Sequence, residues 1–236
     1  MFYRNEQIET QVESRLTEYE RLTGRPLPLP TPIDLLAERL FNLAFLWDEI
    51  EELPGEVVWG AIRPQERLIV LNERHKGDFL AKPGLERSTK GHEIGHWDLF
   101  VDKATLEHPV LFDHGTAGPF ALRTTAKGME IVILLRHEEG RELLRQLRGR
   151  ADEPDEARAV NRYAAALSMP RELVFEHASK INRTAWRNLY PLAELFGVTI
   201  SALRVRLEQL NLLYVAEDGS LFESRERAFG QGALPF

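Results

Sequence analysis

His92-Glu93-Ile94-Gly95-His96 is the stretch whose residue types and spacing can do chemistry. It has the form His-Glu-x-x-His, which a chain of this composition would contain by chance about 0.02 times. On a helix, residues four apart share a face and lie about 6 Å apart along the axis, so both imidazoles can reach one metal ion. Glu93 lies one residue round from His92, beside that ion. A carboxylate there can take a proton from an attacking water and later hand it to a leaving amine. Zn2+ is the expected metal, with Mn2+ the alternative.

A catalytic zinc site uses three protein ligands and leaves a fourth position open. A third histidine six residues past His96 is missing, because that position is Asp102. Glu156 is the foremost candidate for the third metal ligand. Val160, Tyr163 and Leu167 follow it at helical spacing and form an apolar stripe, so this carboxylate opens a core-facing row where an unpartnered charge is costly. The same residue can equally serve its own helix, as half of a capping box or as an acid at the positive end of the helix dipole. Glu153, Asp155 and His114 are the remaining ligand candidates. Tyr163 and His114 are candidates for stabilising a developing oxyanion.

The elements that must hold these groups can be read from periodicity and breakers. Ile8, Val12, Leu16, Tyr19 and Leu22 predict an amphipathic helix over 6–22. Thr31 and Pro32 start a second helix that carries Ile33, Leu36 and Leu40. Residues 43–47, 57–62 and 68–71 read as strands, with 59–62 and 68–71 forming a hairpin. Residues 85–101 read as a helix with Thr89, His92, Glu93, His96 and Phe100 on one stripe, and Gly95 leaves room for a close neighbour. A loop with one strand is expected over 103–126, then an apolar run at 129–135, a charged helix at 138–148 and a linker at 149–153. Helices follow at 154–167, 171–177, 182–196 and 200–211, then a short hairpin of 213–215 with 220–222. The fold class is therefore α+β: mostly helical, with a small antiparallel sheet. The expected division is a catalytic domain at 1–178 and a C-terminal helix-turn-helix-like segment at 179–236.

Composition narrows the function classes. The chain has 236 residues and no cysteine, which excludes thiol catalysis, cysteine-ligated zinc and iron–sulfur clusters. Thirty Lys and Arg against 37 Asp and Glu give a net charge of −7, the wrong sign for coating nucleic acid. No apolar run is long enough for a membrane span, and no basic stretch precedes an apolar core at the N-terminus, so a cytoplasmic protein is expected. Residues 192–204 have the small residue, turn glycine (Gly197) and apolar spacing of a helix-turn-helix. Its second helix is expected to expose Ser201, Arg204, Arg206, Glu208 and Gln209. Two arginines against Glu194 and Glu208 give residues 190–211 no net charge, which is poor footing on phosphate, and such helix pairs also serve simply as packing.

Two runs in this order resemble the ImmA/IrrE family of metallo-endopeptidases, over most of residues 10–212. One is Glu86-Arg87-Ser88-Thr89-Lys90-Gly91-His92-Glu93-Ile94-Gly95-His96-Trp97, preceded by the 59–62/68–71 hairpin. The other is Asn161-Arg162-Tyr163-Ala164-Ala165-Ala166-Leu167-Ser168-Met169-Pro170, similar to the family's Asn-x-Phe-Ala-Ala-x-Leu-Leu-Met-Pro. The resemblance implies a zincin-like core of the gluzincin type, with His92 and His96 on zinc and Glu93 as base. It implies limited cuts in a DNA-binding repressor that governs stress or mobile-element genes. The implied substrate would add as a strand along 59–62 or 68–71. A net charge of −7 favours the Lys/Arg-rich surface of such a repressor. The family's ligand Glu stands four residues before the Asn, a position held here by Ala157, with Glu156 about 100° away round the helix. The alternatives are a DNA-binding or regulatory module, or a metal-free pseudoenzyme that binds a protein partner.

Overall fold

Ile8, Val12, Leu16 and Tyr19 form the buried stripe of helix α1 (Asn5–Thr23), which ends on Gly24 at φ +65°. The computed structural model describes residues 3–52, 57–103, 106, 120–125, 128–133 and 154–230. For 120–125, 128–133, 154 and 155 only the backbone is described. The expected helix at 138–148, the 149–153 linker, and the candidates His114 and Glu153 lie outside the described residues, as does the side chain of Asp155. Helix α2 (Ile33–Phe41) buries Ile33, Leu36, Ala37 and Phe41 against α1 and stops at Asn42 in the left-handed region.

The sheet follows. Strands β1 (Ala44–Asp48), β2 (Val58–Arg63), β3 (Leu68–Asn72), β4 (Phe120–Thr125) and β5 (Gly128–Ile133) are ordered β1-β3-β2-β4-β5. The β2–β3 hairpin forms as expected, closing through a tight turn at Pro64–Glu66 and Arg67 at φ +50°. Two expectations need correcting. The sheet is mixed rather than antiparallel: β3 folds back between β1 and β2 and so runs parallel to β1, with Phe45 opposite Ile69. Nor is either hairpin strand an edge. β1 covers the open side of β3, and β4 covers that of β2. The apolar run near 129 is β5, paired with β4.

Helix α3 (Lys76–Ala81) leads into α4 (Pro83–Phe100), which starts with proline at its first position. From Thr89 to Leu99 every residue of α4 is buried, including Lys90, His92, Glu93, His96 and Asp98. Burial on all sides is ordinary for an apolar helix; here the buried groups are polar, so each needs a partner. Lys90 finds Glu86 at 2.7 Å and Asp34 at 2.9 Å, tying α4 to α2.

Helix α5 (Pro154–Ser168) crosses α4 at its two glycines, and Val160, Tyr163 and Leu167 are fully buried. A Cβ at Gly91 would touch Ala164 Cβ at 3.4 Å. A Cβ at Gly95 would lie 3.1 Å from Val160 Cγ1 and 3.3 Å from Tyr163 Cδ1. Gly95→Val is therefore expected to overpack this crossing and cost about 1–3 kcal/mol, with the melting temperature falling accordingly. An unchanged melt would mean that α4 and α5 can separate freely.

Beyond Pro170 come α6 (Arg171–Ala178), α7 (Trp186–Phe196), α8 (Ile200–Gln209), the two-stranded β6 (Tyr214–Val215) and β7 (Leu221–Phe222), and α9 (Arg225–Ala228). Their core joins Leu189, Phe196, Leu203, Leu207 and Leu213 to Met169, Val174 and Ala178, so the C-terminal cluster also takes in residues ahead of 179. The helix-turn-helix-like pair is present, with Gly197 in the left-handed region. Of its five expected exposed residues only Ser201 is fully exposed; Arg204, Glu208 and Gln209 are half-buried, and the fifth is buried outright. Arg206 is completely buried, its Nη1 and Nη2 donating to Glu9 Oε1 (2.6 Å) and Oε2 (2.8 Å) and its Nε to the Met169 carbonyl (3.0 Å). The turn is packed too: a Cβ at Gly197 would meet Pro30 Cβ at 3.0 Å and Arg87 Nε at 3.1 Å. One face of α8 is thus spent on the body of the protein. No helix among the described residues is long and apolar enough to cross a membrane.

Candidate metal centre

The sequence motif becomes a site because α4 is clamped between β2 on one side and α5 on the other. His92 and His96 turn their Nε2 atoms toward each other, 3.0 Å apart. His92 Nδ1 lies 3.0 Å from Oδ1 of Asn161, an exposed residue of α5. Burial pushes His92 down to about 4, with the Asn161 hydrogen bond opposing only part of that shift. Burial, then the neighbouring His92, push His96 well below the ordinary imidazole range. Both rings are therefore neutral at pH 7, the form in which histidine binds metal.

Glu93 is completely buried, and the backbone opposite makes room for it. A Cβ on Gly60 of β2 would stand 3.6 Å from Glu93 Oε1, 2.8 Å from Thr89 Cγ2 and 3.1 Å from the Val70 carbonyl oxygen. A larger residue at 60 would crowd Thr89 and the Val70 carbonyl beside the carboxylate, so one of them would have to shift.

Glu156 lies beside the pair, but on the far side of a ring. Its Oε1 is 3.9 Å from His96 Nδ1, the nitrogen turned away from His92. Its side chain keeps about a fifth of its surface exposed. Among the described residues no group of three His, Asp or Glu stands ready to hold a metal ion. His92, Glu93 and His96 are thus brought together as the motif requires, and Glu156 is brought to His96 rather than to the convergence point. The imidazoles of His92 and His96 and the carboxylates of Glu93 and Glu156 are groups of the right chemistry for a zinc site, and the Gly60 gap is a cradle that a Cβ would fill.

Tyr163, a candidate for oxyanion stabilisation, has another task. Its hydroxyl donates to Asp98 Oδ2 at 3.0 Å, and burial together with Asp98 pushes its ionisation well up. Asp98 also accepts from Gln11 Nε2 (3.0 Å) and from Arg15 Nε (3.1 Å) and Nη2 (2.8 Å). Burial alone would raise the Asp98 carboxyl, but the Arg15 and Gln11 hydrogen bonds outweigh it and hold it below the usual range. This cluster fastens the end of α4 to α1 and α5 just past His96.

Asn161, Gly60 and Asp98 carried no assigned role in the sequence. Asn161 left one trace, a polar residue set between the buried Val160 and Tyr163. Gly60 and Asp98 left none, since their partners are far away along the chain. Compared with known proteins, the chain matches no family model and no curated protein.

Proposed function

We propose that this protein is a zinc-dependent endopeptidase of the zincin type that makes limited cuts in a protein substrate, a basic DNA-binding repressor being the class its charge favours. The observation that carries the reading is the buried pair of neutral imidazoles with converging Nε2 atoms, one residue from the buried carboxylate of Glu93. His92 and His96 are the residues that would hold the ion. The chemistry an ion held there would supply is polarisation of a scissile carbonyl and a more acidic attacking water. Glu93 takes the proton of that water on its carboxylate and returns it to the leaving amine. The Gly60 gap keeps the carboxylate from being crowded, and the α4–α5 crossing excludes bulk water from one side. With the hairpin strands covered, a substrate segment adding as a strand would use the outer strands of the sheet, β1 or β5. A cytoplasmic setting goes with this reading.

A second reading, a metal-free chain that binds a protein partner, is favoured by one observation: the described residues contain no third ligand already in place. One measurement separates the two. The purified parent should carry about one equivalent of zinc by elemental analysis, and His92→Ala and His96→Ala should lose it on mild chelation, since a single imidazole holds zinc poorly. A parent without zinc, or a variant that keeps a full equivalent, overturns the peptidase reading.

A further inference from the structure

We propose that α5 positions both metal-binding imidazoles, Asn161 through Nδ1 of His92 and Glu156 through Nδ1 of His96, and that Glu156 acts as this positioning residue rather than as the third ligand. The inference rests on the zinc reading above and concerns the same site.

The argument is one of proton counting. An imidazole that binds a metal ion is neutral and carries one N–H. Asn161 Oδ1 accepts, so the hydrogen of His92 sits on Nδ1 and its lone pair on Nε2. The 3.0 Å separation of the two Nε2 atoms then needs one proton between them, and only His96 can supply it. In the metal-free chain His96 is therefore protonated on Nε2. Its Nδ1, buried, has no hydrogen-bond partner. For both rings to turn a lone pair toward one ion, the His96 proton must leave Nε2 and reappear on Nδ1, with no net change in protonation. On that side the acceptor at hand is Glu156 Oε1, 3.9 Å away, within reach of a side-chain adjustment of under about 1 Å to normal hydrogen-bond length. The two ring nitrogens lie on opposite sides of the imidazole, so a carboxylate placed at Nδ1 is not at the metal position. Carboxylates and amides that accept from the second nitrogen of a metal-binding histidine fix its tautomer and orientation. Here one helix provides an acceptor for each ring, five residues apart.

The test uses the full-length chain with 15N-labelled histidine, metal-free and zinc-loaded, with zinc affinities measured by competition with a chelator. In the metal-free parent, NMR should find the hydrogen on Nδ1 of His92 and on Nε2 of His96. On adding zinc both rings should show Nδ1–H. Glu156→Gln keeps an acceptor oxygen and should hold zinc affinity within about threefold, whereas Glu156→Ala should lose tenfold or more. Asn161→Ala should weaken zinc by about 10–100-fold, with the His92 tautomer no longer fixed, and Asn161→Asp should restore it. If Glu156→Gln loses as much as Glu156→Ala, and the cobalt-substituted form changes its absorption as on losing a ligand, Glu156 is the ligand and this proposal falls while the peptidase reading stands. A parent that takes up no zinc overturns the peptidase reading and, with it, the positioning role.

Discussion

Glu93→Gln should leave the zinc content of the chain at the parent's level and cut peptide hydrolysis by a factor on the order of 10²–10⁴. The expected split between binding and turnover follows from where the residue sits. Glu93 is one residue round the helix from His92 and fully buried, its Oε1 lying over the space left by Gly60. Glutamine has nearly the same shape, so the α4–β2 contact and the paired imidazoles should survive. What disappears is a group able to accept a proton from water, and the nearest other carboxylate described, Glu156, lies on the far side of the His96 ring. Tyr163 is committed to Asp98, and both histidines would be metal ligands on the proposed reading. A mass-spectrometric count of cleavage products from a peptide library, run beside elemental analysis, reads both quantities. Turnover that persists in Glu93→Gln at normal zinc content would rule out this carboxylate as the base. Zinc lost together with turnover would mean that Glu93 holds the site together instead.

The motif and its helix were legible because both are local. Two histidines and a glutamate at fixed spacing, inside a run with helical periodicity, define α4 without reference to any other part of the chain. Gly95 announced a close neighbour, and the stripe Val160, Tyr163, Leu167 announced the face of α5 that meets it; the crossing joins those two faces. The β2–β3 hairpin was legible for the same reason. What depends on long-range pairing was not. Nothing between 43 and 72 says that β3 will insert beside β1 and make the sheet mixed, and nothing in the hairpin says that β4, almost 50 residues later, will cover β2. The site shows the same divide. His92, Glu93 and His96 could be named from spacing, whereas Asn161 on His92 requires a contact between residues 69 apart. Helical spacing correctly put Glu156 at the head of a core-facing stripe. It could not say which nitrogen of His96 the carboxylate would meet, because that depends on the crossing angle of two helices rather than on either sequence.

Arg206 is the sharpest case, and it carries the largest expected effect on stability. Read as a surface residue of a recognition helix, it is instead sealed inside, because it falls beside Leu203, Leu207 and Leu210 on the face of α8 that meets the body. A guanidinium can be buried there only if it is paired. The carboxylate that pairs it, Glu9, comes from the first helix, 197 residues away, and is shared with Arg162 Nε at 3.1 Å. Removing Glu9 leaves Arg206 charged and dry, while removing Arg206 leaves Glu9 with Arg162 alone, so Glu9→Leu should cost about 3–5 kcal/mol and Arg206→Met a value toward the lower end of that range. The double variant Glu9→Leu/Arg206→Met should recover much of that loss, since an apolar pair of similar volume does not pay for desolvating ions. The pH dependence gives an independent check. Burial would raise the Glu9 carboxyl, but Arg206, then Arg162, outweigh it and hold it below the usual carboxylate value. A group whose folded-state pKa is depressed contributes stability above its unfolded value, about 4.3, and loses it as pH falls through the folded value. The parent should therefore keep this contribution at neutral pH and lose it only under acid. In Arg206→Met the Glu9 carboxyl should titrate at higher pH, moving the onset of acid unfolding upward. Denaturant melts of the parent, the two single variants and the double, each taken between pH 3 and pH 7, measure both effects. Single variants within about 1 kcal/mol of the parent, with unchanged acid unfolding, would mean that the C-terminal helices are held by their apolar cluster and that the ion pair contributes nothing to fastening them onto α1.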